Sequence, residues 1–295
     1  MFRKVVMAAV AAASMAVAAG SAWAGPADDP ANWRKVDPEN LLQLTIKKQD
    51  VIIELRPDIA PKHVAQIKKI TRDGNYDAVP FHRVIDDFMA QGGEVYAVYM
   101  LYPRPYGQLK AEFTFNRDPG KQKVQWIGQT AEGDKIGYMD GFLVQGQPDE
   151  TALISSPPVA KTWALHCAGM ASMARGDDPN SADTQYFLMR QPRVGPDGLD
   201  MKYTVWGHAL IGLDVIRGIK VGPEDTDGRL PPGTADKVSK AVIVADIPAA
   251  KRPTVYVRRT DGPEFAATLA AQKVTSPLEA CNLPPIEVVV ERPNP

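Results

Sequence analysis

A single arginine, Arg83, lies inside a stretch of large apolar residues that runs from Phe81 to Glu94. The β-branched and aromatic residues at the start of this stretch predict a buried strand. Asp86-Asp87 predicts a turn after the strand, and Gly92-Gly93 predicts a point where the backbone bends or approaches another segment closely. The chain must therefore fold so that one permanent positive charge is accommodated beside an apolar cluster.

The chemistry of Arg83 allows two interpretations. A guanidinium cannot serve as a general base, because it keeps its proton at any working pH, but it presents five N–H donors in a rigid fork. It therefore suits binding of a carbonyl, a carboxylate or an electron-rich nitrogen beside a pocket that contains Phe88 and Met89. Alternatively, Arg83 pairs with a carboxylate of the core, and Phe88 and Met89 are ordinary core residues.

The residues around Arg83 resemble a known family. The words Phe-His-Arg-Val-Ile at 81–85 and Phe-Met-Ala-Gln-Gly-Gly at 88–93 are similar to the signature of the cyclophilin-type peptidyl-prolyl isomerases. The resemblance covers roughly Leu41 to Ile247, and further similar segments follow in the family's order. These segments are Met170–Arg175, Thr184–Leu188, Gly198–Asp200 and Tyr203–Gly207.

The resemblance implies a mainly β fold: a closed eight-stranded antiparallel β-barrel capped by two helices. The start of the sequence agrees with this, because Leu41–Ile46 and Val51–Leu55 alternate apolar and polar residues around a turn, and a helix is predicted from Pro61. Residues from about 95 to 161 exceed what a minimal cyclophilin requires, so we expect an inserted surface loop or hairpin. The predicted domains are 25–247 for the isomerase and 248–295 for a C-terminal extension.

The resemblance also implies a set of site residues. Arg83 is the implied catalytic residue and faces the prolyl amide of the substrate. The other residues bind the substrate: Phe88, Met89, Phe187 and Leu199 form a pocket for the proline ring, Gln91 and Gln185 hydrogen-bond the peptide backbone, Ala174 leaves room for the peptide, and Tyr203 replaces the family's frequent histidine.

The implied activity is cis-trans isomerisation of X-Pro bonds in unfolded or flexible polypeptides that contain proline. It requires no cofactor and no metal, and the four histidines do not show the close spacing of metal ligands. The formal net charge of −1 gives no electrostatic reason to expect a nucleic-acid partner. The competing interpretation is a non-catalytic peptide-binding chaperone or scaffold on the same fold.

Residues Met1–Ala24 have the organisation of a secretory signal peptide. Arg3 and Lys4 precede an apolar run rich in alanine, and the run ends in Ala22-Trp23-Ala24. The alternative is a membrane anchor, but the apolar core is short and alanine-rich compared with the ~20 strongly apolar residues of a spanning helix. We therefore expect a periplasmic or secreted protein that has no membrane attachment after cleavage.

The chain has two cysteines, Cys167 and Cys281. In an oxidising compartment they can pair, and the bond would close a loop of more than a hundred residues. Alternatively, Cys167 is a small buried apolar residue and Cys281 is a free thiol. The sequence leaves both states open.

The implied site departs from the family pattern at Gly198, where many members carry tryptophan or another aromatic residue. Cyclosporin binding in the family depends on that aromatic side chain. We therefore predict that cyclosporin inhibits this protein only weakly. A titration of its isomerase activity with cyclosporin measures the effect, and inhibition at sub-micromolar concentration contradicts the prediction.

Overall fold

The structure is a computed structural model that describes residues 25–269 and 272–293. The predicted signal peptide, residues 1–24, lies outside this range. Within the range the chain is mainly β. The strands are β1 (Trp33–Lys35), β2 (Leu41–Ile46), β3 (Gln49–Leu55), β4 (Arg83–Val84), β5 (Met89–Gly92), β6 (Phe115–Arg117), β7 (Gln125–Gln129), β8 (Lys135–Met139), β9 (Phe142–Gly146), β10 (Ala160–Ala164), β11 (Met170–Met173), β12 (Tyr186–Met189), β13 (Val205–Ile211), β14 (Val238–Ile243), β15 (Thr254–Arg258) and β16 (Val288–Glu291).

The helices of the described residues are short, apart from α1. The α-helices are α1 (Pro61–Arg72), α2 (Val95–Tyr99), α3 (Leu213–Arg217), α4 (Pro263–Leu269) and α5 (Pro277–Cys281). Single turns of 3-10 helix occur at Pro26–Asp28, Pro38–Asn40, Glu224–Thr226, Val244–Asp246 and Ala249–Lys251, and a longer one at Asp149–Ile154.

The largest sheet has eight antiparallel strands in the order β14-β2-β3-β13-β11-β12-β5-β4. Its two edge strands approach each other, and isolated bridges join Pro80 to Lys237 and Arg83 to Arg229. Within the described residues, no continuous ladder connects β14 to β4. The prediction of a mainly β fold is therefore confirmed, whereas closure of the sheet into a barrel is not shown.

The hairpin β2–β3 and helix α1 form where the sequence predicts them. Lys47 and Lys48 connect the two strands and both have positive φ, at 49° and 65°, as a two-residue hairpin turn requires. Helix α1 begins at Pro61, whose missing N–H costs nothing at a helix start. Helices α1 and α3 both bury apolar side chains in the core of the eight-stranded sheet, namely Val64, Ile67 and Ile70 from α1, and Val215 and Ile216 from α3.

The segment between about 95 and 161 forms more than the surface loop or hairpin that the sequence predicts. After α2, strands β6 to β10 form a second antiparallel sheet in the order β6-β10-β9-β8-β7. Its hairpin β8–β9 buries Ile136 and Phe142 in the same apolar cluster as Met89 and Phe187. The strands are short, and β7, β8 and β9 each contain glycine, which obscures their alternation in the sequence. Burial of their apolar side chains nevertheless favours a sheet.

A third sheet joins the residues before β2 to the C-terminal extension. Strand β15 lies between β1 and β16. Arg34 on β1 donates two hydrogen bonds of 2.7 Å to the carboxylate of Glu54 on β3. Val255 and Val257 of β15 pack with Ile52 in a small apolar cluster. The extension therefore packs against the eight-stranded sheet.

Two further contacts tie the extension to the rest of the chain. Gly128 of β7 approaches Val274 so closely that a Cβ at this glycine would lie 1.9 Å from the carbonyl oxygen of Val274. Cys167, which precedes β11, forms a disulfide with Cys281 at the end of α5, across a sequence separation of 114 residues. In the structure the two cysteines are thus paired and neither is a free thiol.

None of the helices within 25–269 and 272–293 combines the length and the apolar character that a membrane crossing demands.

We predict that the folded protein carries no reactive thiol. Because the bond spans a separation of 114 residues, the chain-entropy model gives it about 4–5 kcal/mol of unfolding free energy. We expect Cys281→Ser and the reduced wild-type protein to lose stability of this order in denaturant unfolding. Thiol counting under denaturing, non-reducing conditions tests the pairing directly, and two titratable thiols would show that it does not form.

Candidate active site

The predicted site residues come together on adjacent strands and on the loops beside them. Arg83 of β4 pairs with Gln91 of β5, and Gln91 pairs with Phe187 of β12. Directly paired residues project to the same face of a sheet, so these three side chains lie side by side. Ala174 follows β11, and its backbone N–H donates a hydrogen bond of 2.9 Å to the carbonyl of Gln185.

The apolar residues of the predicted site belong to one cluster. Met89 and Phe187 are buried, and the other apolar residues of the predicted site are half-buried. The ring of Tyr203 packs edge-on against that of Phe187, with a centroid distance of 5.6 Å. A buried floor with partly exposed walls suits a small apolar ring. The half-buried members are Phe88, Ala174, Leu199 and Tyr203.

The polar residues form a hydrogen-bonded chain beside this cluster. Arg83 donates through Nη1 to Gln91 Oε1 at 3.4 Å, a long hydrogen bond. Gln91 donates through Nε2 to Gln185 Oε1 at 2.9 Å. Gln185 in turn donates through Nε2 to the carboxylate of Glu94. Donors therefore point in one direction along the whole chain, from the guanidinium to the carboxylate.

The other edge of the Arg83 guanidinium contacts Asp227. Nε lies 3.0 Å from Asp227 Oδ2, and Nη2 lies 2.9 Å from Oδ1. Asp227 is not a core carboxylate, because 62% of its side chain is exposed. The pairing holds the pKa of Asp227 below its usual range, since the guanidinium stabilises the ionised form. Sequence reasoning missed this contact, which spans 144 positions.

Gly198 lies in the loop that carries Leu199. A Cβ at this position would lie 2.4 Å from the carbonyl oxygen of Arg193. An aromatic side chain therefore cannot replace Gly198 unless the backbone of this loop shifts. The wall of the pocket next to Leu199 consequently has no large side chain at this position.

Two further arginines, both missed by sequence reasoning, flank the apolar cluster. The guanidinium carbon of Arg175 lies 4.6 Å from the ring centroid of Tyr203. That of Arg193 lies 5.6 Å from the ring centroid of Phe88. Both contacts are in the range of cation–π interactions. Arg175 directly follows Ala174 in the sequence, and this adjacency is the only local feature that could have marked Arg175 as part of the site.

A buried pair holds the loop that carries Leu199. Asp200 accepts hydrogen bonds from the backbone N–H and the ring Nδ1 of His166, at 2.8 and 2.9 Å. Its second oxygen accepts from the backbone N–H of Gly195 at 2.8 Å. The ring of His166 also stacks on that of Phe187. These contacts fix Leu199 and Phe187 relative to each other.

The described residues contain no group of three or more His, Cys, Asp or Glu side chains arranged to hold a metal ion. The groups placed beside the apolar cluster are the guanidinium groups of three arginines, two side-chain amides and aromatic rings. Such a set can bind a peptide and polarise it through hydrogen bonds.

Comparisons with known proteins show the family that this chain resembles. The family model described as cyclophilin type peptidyl-prolyl cis-trans isomerase matches residues 41–245. A Brucella suis protein named "Probable peptidyl-prolyl cis-trans isomerase" is 38% identical over 210 residues, which cover 71% of this chain and 85% of that protein. The crystal structure of a cyclophilin from Hirschia baltica matches with a TM-score of 0.79 at 39% identity, and the match covers 90% of this chain and 96% of that one.

The family model spans more than half of the chain, and it includes the strands that carry Arg83, Gln91 and Phe187. The relatives agree in sequence and in fold over most of their own length. The chain therefore belongs to the cyclophilin-type peptidyl-prolyl cis-trans isomerases.

Proposed function

We propose that this isomerase rotates X-Pro bonds by means of Arg83, with the apolar cluster around Phe187 as the pocket for the proline ring. Rotation of an X-Pro bond breaks amide resonance, with a barrier of about 20 kcal/mol and a spontaneous time of tens to hundreds of seconds. In the twisted state the nitrogen becomes pyramidal and gains a lone pair. A donor that reaches this lone pair stabilises the transition state more than the planar amide.

The contacts of Arg83 support this role. Among the described residues, its hydrogen bonds to Asp227 and Gln91 leave one N–H on each terminal nitrogen without a partner. The side chain is 20% exposed, so a bound peptide can reach these donors. The proposal rests on this single observation: a guanidinium that is held in place, is accessible and still has free donors beside an apolar pocket.

Arg83 alone does not supply the whole acceleration. To shorten the reaction from ~100 s to ~1 ms takes a factor of about 10⁵, or about 7 kcal/mol. One charge-assisted hydrogen bond contributes only about 1.5–3 kcal/mol. We assign the remainder to exclusion of water by Phe88, Met89 and Phe187, and to binding of the twisted peptide by Gln91 and Gln185. Leu199, Ala174 and Tyr203 shape the rest of the pocket.

We propose unfolded or flexible polypeptides that contain proline as the substrates, because the family acts on prolyl peptide bonds. The alternative, a peptide-binding scaffold without catalysis, draws support from the rim at Gly198, which lacks an aromatic side chain. A folded protein that binds proline peptides without speeding their isomerisation would establish that alternative.

We predict that Arg83→Ala lowers kcat/KM by about 10- to 100-fold, the size of one charge-assisted hydrogen bond to the transition state. Arg83→Lys keeps the positive charge but loses the forked set of N–H donors, so its kcat/KM should lie between those of wild type and Arg83→Ala. A proline-isomerisation assay on the purified protein measures both variants. Arg259→Ala is the matched control, because this arginine pairs with the neighbouring Asp261. An Arg83→Ala protein that is as fast as wild type would refute the assignment.

We also propose that residues 1–24 direct export and that the mature protein is periplasmic or secreted. The basic start and the Ala22-Trp23-Ala24 end support this. The disulfide between Cys167 and Cys281 supports it as well, because such bonds persist in oxidising compartments. In this proposal residues 25–247 form the isomerase domain, and 248–295 form an extension that packs on it.

The eight-stranded sheet, we further propose, closes into a barrel in solution. The bridges from Pro80 to Lys237 and from Arg83 to Arg229 support closure between β4 and β14. Amide hydrogen exchange tests closure, because N–H groups at the edges of β4 and β14 are protected from exchange only if the two strands are hydrogen-bonded to each other.

We predict that expression of the full sequence in a Gram-negative host releases a mature form that begins at Gly25. Intact-mass and N-terminal analysis of the periplasmic fraction checks this. Replacement of Ala22 and Ala24 by bulky residues should block processing, because the cleavage site needs small residues. A protein that keeps Met1 and stays in the cytoplasm would contradict the proposal.

A further inference from the structure

The hydrogen-bonded chain that includes Arg83 has a carboxylate at each end. We propose that Asp227 and Glu94 are positioning residues that orient Arg83 for catalysis. Asp227 fixes the guanidinium directly, and Glu94 fixes it through Gln185 and Gln91. This inference rests on the proposed catalytic role of Arg83.

Asp227 sets the plane of the guanidinium. It engages Nε and Nη2 at 3.0 and 2.9 Å, which is the side-on geometry of a two-bond pair. The backbone carbonyl of Asp227 shares the single N–H of Nε with Oδ2, at a distance of 3.1 Å. These contacts use the edge of Arg83 that includes Nε, and they leave Nη1 directed toward Gln91. The guanidinium keeps its positive charge and its free terminal donors.

The loop that carries Asp227 is itself fixed to strand β4. The N–H of Val84 donates to the carbonyl of Gly228 at 2.8 Å, and the carbonyl of Val84 accepts from the N–H of Gly222 at 3.0 Å. Asp227 has a left-handed backbone, with φ of 53°, and so does Gly228, with φ of 72°. A Cβ at Gly228 would lie 2.7 Å from the carbonyl oxygen of Val84. The loop that carries the Asp227 carboxylate is therefore fixed to Val84, the residue next to Arg83.

Glu94 sets the direction of the two amides. A carboxylate only accepts hydrogen bonds, so Gln185 must present its NH₂ group to Glu94 and its carbonyl oxygen to Gln91. Gln91 must then present its NH₂ group to Gln185 and its oxygen to Arg83. If both amides were reversed, the NH₂ group of Gln91 would face the guanidinium, and two donors would oppose each other. Glu94 therefore selects the arrangement that holds Arg83.

A different role for Asp227 would be competition with substrate for the guanidinium. The geometry argues against this role, because the free N–H groups of Nη1 and Nη2 remain available while Asp227 is bound. The two roles make opposite forecasts. A positioning residue slows the enzyme when it is removed, whereas a competitor speeds it.

The test uses Asp227→Asn and Glu94→Ala in the full mature protein. We expect each to lower kcat about 3- to 10-fold with KM changed by less than 2-fold, because each removes one hydrogen-bonded constraint on the transition-state donor. Glu94→Gln keeps an acceptor but loses its fixed direction, so it should fall between wild type and Glu94→Ala. Asp225→Asn is the control for charge, because Asp225 is exposed in the same loop.

A double-mutant cycle separates positioning from a merely structural role. In an Arg83→Ala background, Asp227→Asn and Glu94→Ala should have no further effect on kcat, because both act through the missing guanidinium. Additive losses in that background would overturn the inference. So would an Asp227→Asn protein that is as fast as wild type or faster. By contrast, an inactive wild type or an unimpaired Arg83→Ala would overturn the proposed function itself.

Discussion

A guanidinium beside an apolar pocket is tolerated only where partners that stay in place satisfy its charge. In this protein the partners of Arg83 come from two sources. Gln91 is its cross-strand neighbour in the ladder of β4 and β5. Asp227 arrives from a loop that hydrogen-bonds to Val84. The pairing of β4, β5 and β12, and the path of the loop after α3, therefore have one common result: they hold a cation at the edge of the apolar cluster that we propose as the proline pocket.

The pocket and the second sheet share one apolar cluster. Met89 and Phe187 line the floor of the site, and they pack with Ile136, Phe142 and other side chains of β8 and β9. Close packing transmits a change of volume across such a cluster. The disulfide between Cys167 and Cys281 of α5 and the pair of His166 and Asp200 lie next to this cluster as well. The segment that exceeds a minimal cyclophilin is therefore part of the support of the site.

The sequence allowed prediction of those site residues that lie close together in the chain or within motifs of the family. Arg83, Met89 and Gln91 lie in one continuous segment, and their positions on strands follow from its apolar residues and from the turn and glycine residues that interrupt them. Sequence reasoning did not locate Asp227, because an exposed aspartate in a polar loop has no local feature that marks its partner. It also missed the second sheet, because its strands have only three to five residues and two of them, β7 and β8, are interrupted by glycine, so their alternation is too short to recognise. Their pairing depends on contacts with residues far along the chain.

The third sheet has a consequence for the order of folding. Strand β15 pairs with β1 on one side and with β16 on the other, and β16 ends at Glu291. Residues 33–35 therefore cannot pair with their neighbour until the segment that forms β15 is available, and that segment lies more than 200 positions further along the chain. Until then, the face of the eight-stranded sheet that Val255 and Val257 cover stays open to water. An enzyme that catalyses a slow step in the folding of other proteins thus has a late folding step itself, in which strands near its C-terminus pair with a strand near its N-terminus.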